Sequence, residues 1–391
     1  MQVHNAHIVL ELLKRSGPIS RADIARSLGS SKSAISNITT LLGEFGLIRS
    51  SGVGHPHTGR TSELIEFDPS GRLFIGIDLS WEKKVFAAVD LSGRIVASSQ
   101  ASFGTSAPSG LVKRIADCVE NLVSKGGLRR EVIEGIGVMI PGLVDPDSGT
   151  ILHSRSVVWN EGESLSALLT SRLGIPVTLE NDANALALGE DWVGKGRDFT
   201  TLAYVYLGEG LGGAFVSGGS ILQGADHAAS ELGKMLVGGG RQPVRAEKAL
   251  LGLFAEISRA LSLGGRTENE VQHAVAEAYR SKDTRLKRLE GRIIQVLAQL
   301  LVNIVAVLNP EVIIINSPYL PLQDSFLDEL GSRVYELLPE RPRRTLRLIA
   351  AALDRQSGVI GGAAVAVLRS QFQFIISGAP PPQRTREGMP R

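Results

Sequence analysis

The most informative segment of this chain reads Leu179-Glu-Asn-Asp-Ala-Asn-Ala-Leu-Ala-Leu-Gly-Glu190. It predicts the end of a strand, an Asn181-Asp182 pair, and then an alanine-rich helix that begins without an intervening loop. Polar side chains at the carboxyl end of such a strand face the crevice in which α/β proteins bind ligands. We therefore expect Asn181 and Asp182 to face a cleft, although a helix N-cap is the simpler alternative for Asp182.

The composition is that of a soluble globular protein with two or three domains. Of the 391 residues, 43% are hydrophobic and 21% charged, and the formal net charge of +2 is small, so any contact with nucleic acid depends on a local arrangement of residues. The single cysteine, Cys118, excludes an intrachain disulfide and a cysteine-cluster metal site.

The chain does not open with a signal-peptide pattern, and the most apolar run, residues 293–308, is interrupted by Gln295, Gln299 and Asn303. Since a membrane span needs roughly 20 apolar residues, we expect a buried helix there, a cytoplasmic protein and no membrane partner.

Three short helices are predicted in the first 46 residues. Apolar residues recur at helical spacing over residues 6–13, and Ser20 and Ser31 have the positions of N-caps for a second and a third helix. The third helix places its large apolar residues on one face, which are Ile35, Ile38, Leu42 and Phe45. Its other face is polar.

Two short strands are predicted next, at residues 47–49 and 64–67, with a polar loop between them. Helices in this order followed by a hairpin are typical of a winged helix-turn-helix domain, which we predict over residues 1–67 with a linker at 68–72. A plain three-helix packing unit is the alternative. The residues predicted to contact double-stranded DNA are Arg21, Ser31, Lys32, Ser33, Ser36, Asn37, Thr40, His57 and Arg60. Those of the third helix would read the major groove, and His57 and Arg60 the minor groove.

Beyond residue 72 the pattern alternates between strands and helices. Three β-rich runs at residues 73–79, 85–90 and 94–99 predict an opening meander, and helical patterns such as residues 111–123 and 165–173 then alternate with further strands. This alternation predicts an α/β architecture.

The chain resembles the ROK family of repressors, open reading frames and sugar kinases. The motifs that carry the resemblance are Asn181-Asp182, Pro141-Gly142, the glycine-rich residues 207–213 and Asn309-Pro-Glu311. The resemblance covers residues 5–370 and implies a two-lobed, actin-like (ribonuclease-H-like, sugar-kinase) domain at residues 73–374, with a cleft between the lobes. The Pro- and Arg-rich residues 375–391 are predicted to be a disordered tail.

The resemblance also implies a sugar-binding site. The positions with which the family holds its sugar are filled here by Gly142, Asn181, Asp182 and Glu231, and Asn160 lies in the segment that precedes the sugar-loop helix. Carboxylates and amides make directional hydrogen bonds to vicinal hydroxyl groups. We therefore expect these five residues to bind a sugar or sugar-phosphate effector.

The phosphate-binding elements of a ROK kinase are altered in this sequence. The first phosphate loop reads Asp78-Leu-Ser-Trp-Glu-Lys83, without the two glycines that let backbone N-H groups approach phosphate. The second carries Glu209, and the third reads Asn316-Ser-Pro318 in place of a Gly-Gly turn. Phosphoryl transfer depends on positioning and on charge stabilisation of the phosphates, so we expect no kinase activity and no catalytic role for Asp182, the family's proton acceptor.

The zinc site of the family is also altered. Lys234 takes the place of its histidine, and Gly238, Gly240 and Arg245 take the places of its cysteines when Glu247 is aligned with its glutamate. A structural zinc site needs four donor ligands. We expect no metal and no cofactor.

These observations predict a sugar-sensing transcriptional repressor that binds a pseudo-palindromic operator as a homodimer or tetramer. One alternative is a sugar kinase fused to a DNA-binding domain, favoured by Asp182 and the remaining glycines. Another is a ligand-independent regulator that uses its ROK domain for dimerisation or protein docking.

Overall fold

The chain folds into an N-terminal head and two α/β lobes in the computed structural model. The residues described are 2–54, 61–80, 83–103, 108–154, 157–208, 210–238, 243–264, 268–281, 283–320, 322–353, 357–370 and 372–377. His57 and Arg60, two of the predicted DNA contacts, lie outside them.

The head consists of three helices and a small sheet. Its elements are α1 (Gln2–Ser16), β1 (Ile19–Ser20), α2 (Arg21–Ser27), α3 (Lys32–Glu44), β2 (Ile48–Gly54) and β3 (Ser62–Phe67). The strands pair antiparallel in the order β1-β3-β2. Both predicted N-caps are confirmed, since the Ser20 hydroxyl accepts from the N-H of Asp23 and the Ser31 hydroxyl from that of Ala34.

Lobe one is a five-stranded sheet with helices on it. Its elements are β4 (Leu73–Asp78), β5 (Lys83–Asp90), β6 (Ile95–Ser102), α4 (Pro108–Lys125), β7 (Ile133–Ile140), β8 (Gly142–Asp145), β9 (Thr150–Ser154), α5 (Leu165–Leu173) and β10 (Val177–Asn181). The sheet order is β10-β7-β4-β5-β6, in which β10, β7 and β4 run parallel and β5 and β6 complete the predicted meander. The carboxyl ends of the three parallel strands therefore meet at one edge of the sheet.

Lobe two is built on a second five-stranded sheet. Its elements are α6 (Asp182–Trp192), β11 (Thr201–Leu207), β12 (Leu211–Ser217), β13 (Ser220–Ile221), β14 (Leu236–Val237), β15 (Val244–Arg245), α7 (Ala246–Ala260), α8 (Glu268–Arg280), α9 (Thr284–Leu308), β16 (Val312–Asn316), α10 (Asp324–Leu337), α11 (Glu340–Thr345) and β17 (Arg347–Ala350). The order is β13-β12-β11-β16-β17. Helix α6 begins at the residue after β10 and packs against β11 and β12, so it joins the two lobes.

Helix α9 is long and apolar enough to cross a membrane by length and composition alone. Ten of its residues, from Leu286 to Val305, are buried in the core of lobe two, and the helix packs against α7 and α10. Burial inside a protein core explains the apolar composition, as expected from the sequence.

Two further helices follow β17: α12 (Ser357–Arg369) and α13 (Gln373–Ser377). Helix α12 lies directly on the lobe-one sheet because Gly76 and Gly137 have no side chains. A Cβ added to Gly76 would lie 1.7 Å from the carbonyl oxygen of Val359, and one on Gly137 1.8 Å from that of Gly362. A side chain at either position would therefore push the helix away from the sheet.

The burial of helix α13 shows that one prediction, the start of the disordered tail, was wrong. The disordered tail was predicted to begin at residue 375, but Ile375 and Ile376 are 3% and 7% exposed in the core that they share with α1. The Pro- and Arg-rich composition used for that prediction belongs to residues after 377, which lie outside the described residues.

Candidate functional site

A cleft of about 620 Å³ lies between the two lobes, at the carboxyl ends of β4, β7 and β10. This volume is in the range of pockets that bind small molecules. Four of the five predicted sugar-binding residues line it, namely Gly142, Asn181, Asp182 and Glu231.

Asn181 fixes the floor of the cleft. Its side-chain oxygen caps α6 by accepting from the N-H groups of Ala183 at 2.9 Å and Asn184 at 3.3 Å, and its amide nitrogen donates to the carbonyl oxygen of Gly142 at 2.7 Å. Gly142 has φ of +148°, and a Cβ there would lie 2.1 Å from the carbonyl oxygen of His153. The helix cap is therefore Asn181, and Asp182 is the first residue of the helix.

Asp182 is partly exposed to the cleft and its pKa is raised to about 6. Desolvation is the largest cause and the charge of Asp78 contributes, while the N-H of Ala183 acts in the opposite direction. Asp78 itself is buried at the end of β4, and this burial raises the pKa of its carboxyl group. The hydrogen bond from the N-H of Ser80 has the opposite, smaller effect on this pKa. Two carboxyl groups from different elements thus share the floor of the cleft. The sequence interpretation treated Asp78 only as the start of an altered phosphate loop.

Glu231 and Lys234 lie at the loop that carries zinc in the family. Lys234 Nζ is 3.5 Å from Glu247 Oε2, so it pairs with Glu247 rather than across a helical turn with Glu231. At the positions of the family's zinc ligands, the described residues are Lys234, Gly238 and Arg245. None of these three supplies a donor of the kind that zinc binds. The residues of this loop do not fit a zinc ion.

His227 joins the two lobes at the mouth of the cleft. It has a left-handed backbone with φ of 54°, and its Nε2 lies 3.2 Å from Asp145 Oδ1 in β8. Hydrogen bonds from Ser148, with a smaller contribution from His227, lower the pKa of Asp145. Nothing local in the sequence indicates that His227 has a partner 82 positions earlier. Asp147, His227 and Asp145 place their ligand atoms within 4.8 Å of one another, but Arg369 already pairs with Asp147 at 2.8 Å.

The lobe-two wall of the cleft includes Tyr206 and Asn316. A Cβ added to Gly208 would lie 2.4 Å from the hydroxyl oxygen of Tyr206, so the phenol ring lies against the glycine-rich turn. Asn316 donates to the hydroxyl of Tyr204 at 2.9 Å, and the hydroxyl of Ser317 donates to the carbonyl oxygen of Leu207 at 2.7 Å. Of Asn316, Tyr204 and Ser317, only Asn316 belongs to the described lining of the cleft, and its amide is held by Tyr204.

Asn160 is not brought into the cleft. Its side chain is exposed and donates to Glu163 Oε2 at 2.8 Å, and it is absent from the described cleft lining. Trp159 beside it donates through its indole N-H to the carbonyl oxygen of Glu163 at 2.7 Å. Asn160 therefore lies outside the described lining of the cleft, and its sugar contact stays a prediction.

On the head, the predicted DNA contacts of α3 share one exposed surface. The exposed residues are Ser31, Lys32, Ser33, Ser36, Asn37 and Thr40. Ile35, Ile38 and Leu42 are buried on the opposite face as predicted, together with Thr39.

Arg21 has a different environment from those residues. Its Nε donates to Thr39 Oγ1 at 2.9 Å and its Nη1 pairs with Glu63 of β3. These contacts brace α2, α3 and β3 against one another. The described polar contacts of the Arg21 side chain therefore lie inside the head.

A two-lobed α/β domain with an Asn-Asp pair at the strand ends of its cleft defines the class of sugar-kinase-like proteins. The chain belongs to the ROK family, which matches residues 74–369. It is 27% identical to a putative xylose repressor of Caldicellulosiruptor sp. (strain Rt8B.4), over 93% of this chain and 95% of that protein. It is 26% identical to a glucokinase of Thermotoga maritima, over 74% of this chain and 96% of the enzyme.

Solved structures share the fold. A ROK family transcriptional regulator, a homologue of the E. coli MLC protein, has a TM-score of 0.76 at 21% identity and covers 97% of both chains. A ROK hexokinase from Thermus thermophilus has a TM-score of 0.61 at 22% identity and covers 76% of this chain and 98% of its own. The actin-like architecture predicted for the ROK domain is confirmed by these neighbours.

Proposed function

We propose that this protein is a sugar-responsive transcriptional repressor that acts in the cytoplasm. The head, as a winged helix-turn-helix, binds double-stranded operator DNA, and the cleft binds a sugar or a sugar derivative. The observation that carries the proposal is the combination, in one chain, of a cleft with sugar-type polar groups and a head whose third helix exposes Lys32, Ser33, Ser36, Asn37 and Thr40 on one face.

The exposed face of α3 has the chemistry of a recognition helix. Lys32 and the amide of Asn37 are suited to phosphate and base-edge contacts, while Ser33 and Ser36 allow the helix to enter the groove closely. Two such heads in a homodimer read half-sites about one helical turn apart. The likeness to a putative xylose repressor includes the head, whereas the likeness to a glucokinase covers three quarters of the chain.

The cleft supports sugar binding better than phosphoryl transfer. Asp182 and Glu231 offer carboxylate oxygens to sugar hydroxyl groups, whereas the amide of Asn316 on the lobe-two wall already donates to the hydroxyl of Tyr204. Tyr206 also lies against the turn through which phosphates would bind. We therefore propose a sensor without kinase activity.

A sugar kinase fused to a DNA-binding domain is the second candidate. The observation that favours it is the raised pKa of Asp182, about 6, which suits a group that accepts a proton near neutral pH. A coupled assay with D-xylose and D-glucose decides between the two. Sugar-dependent ATP turnover that disappears in Asp182→Asn would establish the kinase, and its absence in a protein that binds sugar supports the sensor.

The repressor itself is tested by DNA selection. Wild-type protein and Asn37→Ala are each incubated with sheared genomic DNA of the source organism, and the bound fragments are sequenced. We expect fragments that only the wild type enriches, and a change of roughly 5- to 150-fold in their affinity when a bound sugar is added. A sugar that binds the cleft without changing this affinity would contradict the proposal.

A further inference from the structure

Helix α12 runs from the cleft to the head. Ser357 and Gly358, at its start, line the cleft, and a Cβ on Gly358 would lie 2.1 Å from Asp78 Oδ2. Its middle is buried on the lobe-one sheet and against α6. At 13 residues it spans about 20 Å, so one buried element extends from the ligand site to the far side of lobe one.

The chain after α12 forms part of the head. Phe372 is fully buried and packs edge-to-face on Phe45, with ring centroids 5.2 Å apart, and the guanidinium of Arg72 lies 5.8 Å from its ring centre. His7 Nδ1 in α1 is 2.9 Å from the carbonyl oxygen of Ile375. Phe372, Ile375 and Ile376 belong to the same apolar core as residues of α1 and α3.

The junction between head and lobe one is also packed. The N-H of Asp68 donates to the carbonyl oxygen of Leu47, and the N-H of Leu91 to that of Pro69. A Cβ on Gly71 would lie 1.8 Å from the carbonyl oxygen of Gly46. Residues 68–72 therefore hold the head against lobe one and do not act as a free tether.

We propose that α12 and α13 transmit occupancy of the cleft to the head, with Phe372 as the coupling contact. The inference rests on the proposed function, because it takes the cleft as the ligand site and the head as the DNA reader. A well-packed helix responds to a displacement at one end by moving as a unit, since close-packed interiors do not absorb strain locally. A ligand that changes the space around Asp78 therefore changes the position of the first turn of α12, and Phe372 carries that change to Phe45 and to α3.

The experiment is hydrogen–deuterium exchange of the full chain with D-xylose and with D-glucose. Binding is read from the amides around Gly142 and Asn181, and coupling from those of α1, α3 and α13. We expect the sugar that protects the cleft to change exchange in the head by roughly 5-fold or more. Protection of the cleft with an unchanged head would overturn the inference and leave sugar binding intact.

Two variants separate coupling from general destabilisation. Phe372→Ala should keep cleft protection and lose the response of the head. The matched control is Phe326→Ala, which removes an equally buried ring from the core of lobe two and should keep the response. Loss of the response in both variants, or in neither, would contradict a specific role for Phe372.

If neither sugar protects the cleft, that result counts against the proposed function for those sugars. The coupling between the cleft and the head is then tested by a comparison of two variants without ligand. Gly358→Ala should displace the first turn of α12 and change exchange in α1 and α13. Its control is Gly291→Ala, at which an added Cβ meets no atom within 4 Å. Equal exchange in the head of both variants would overturn the inference on its own.

Discussion

The carboxyl groups of Asp78 and Asp182 lie close enough in the cleft for the charge of one to raise the pKa of the other. Asp78 comes from the end of β4 and Asp182 from the start of α6, so this electrostatic interaction links the lobe-one sheet to the helix that connects the lobes. Titration of Asp182, whose pKa is about 6, therefore changes the charge of the cleft floor near neutral pH.

Stability should depend on pH through Asp182. Its pKa rises from an ordinary value of 3.8 to about 6 in the folded protein, so the folded state binds the proton more tightly. The stabilising contribution of the protonated group is complete below pH 3.8 and is lost as the pH rises through 6. Asp182→Asn should therefore stabilise the protein at pH 8 relative to wild type, by ~1–3 kcal/mol, and much less at pH 4. Urea unfolding at both pH values measures the free energy of unfolding of each variant. The control is Asp226→Asn, at an exposed position. Equal effects of Asp182→Asn at pH 8 and pH 4 would contradict the prediction.

Sugar affinity should fall as the pH drops below about 6. The ionised carboxylate of Asp182, whose pKa is about 6, accepts hydrogen bonds from sugar hydroxyl groups, and protonation removes part of this capacity. We expect the Kd of a bound aldose, measured by calorimetry, to rise between pH 7.5 and pH 5. The rise should be absent in Asp182→Asn. A pH dependence that survives in that variant would assign it to another group.

Asn181→Ala should cost both stability and sugar binding. It removes the cap of α6 and the bond to the carbonyl oxygen of Gly142, so we expect a loss of about 1–3 kcal/mol. The control is Ser164→Ala, which removes the cap of α5 away from the cleft. Thermal unfolding with and without sugar should show destabilisation in both variants and loss of the sugar-induced shift only in Asn181→Ala.

Substitutions on α3 should weaken operator binding without changing the fold. Lys32→Ala is expected to reduce affinity for all sequences and to lower the salt dependence by about one phosphate contact, whereas Asn37→Ala should cost ~1–3 kcal/mol and relax specificity at one base pair. Titrations of a selected operator at several salt concentrations measure both. Lys113→Ala, on an exposed position of α4, is the matched control. An equal loss of operator affinity in Lys113→Ala would mean that the effect of Lys32→Ala comes from the net charge of the protein and not from a contact of α3 with DNA.

Local sequence patterns predicted the elements well where a single physical rule decides them. The caps at Ser20 and Ser31 and the apolar face of α3 follow from residue type and spacing, and the alternation after residue 72 correctly indicated an α/β domain. The position of Asn181 and Asp182 at the cleft follows from the strand-to-helix transition.

The remaining features depend on contacts between distant segments. Asp145 and His227 meet only because the two lobes close on each other, and the contact of His7 with Ile375 joins residues 368 positions apart. Asn160 resembled a sugar contact by its place in the sequence, but its turn is closed by Glu163. No periodicity or motif encodes such pairings.

The burial of Phe372, Ile375 and Ile376 beside α1 means that the head is discontinuous in sequence. A recombination event or a designed chimera that exchanged only residues 2–67 would leave one wall of the head open and expose the apolar side chains behind it. An exchange of the head that keeps its core closed has to transfer the segment after α12 as well. The head of this chain therefore tolerates point substitution on the exposed face of α3 more readily than exchange as a separate module.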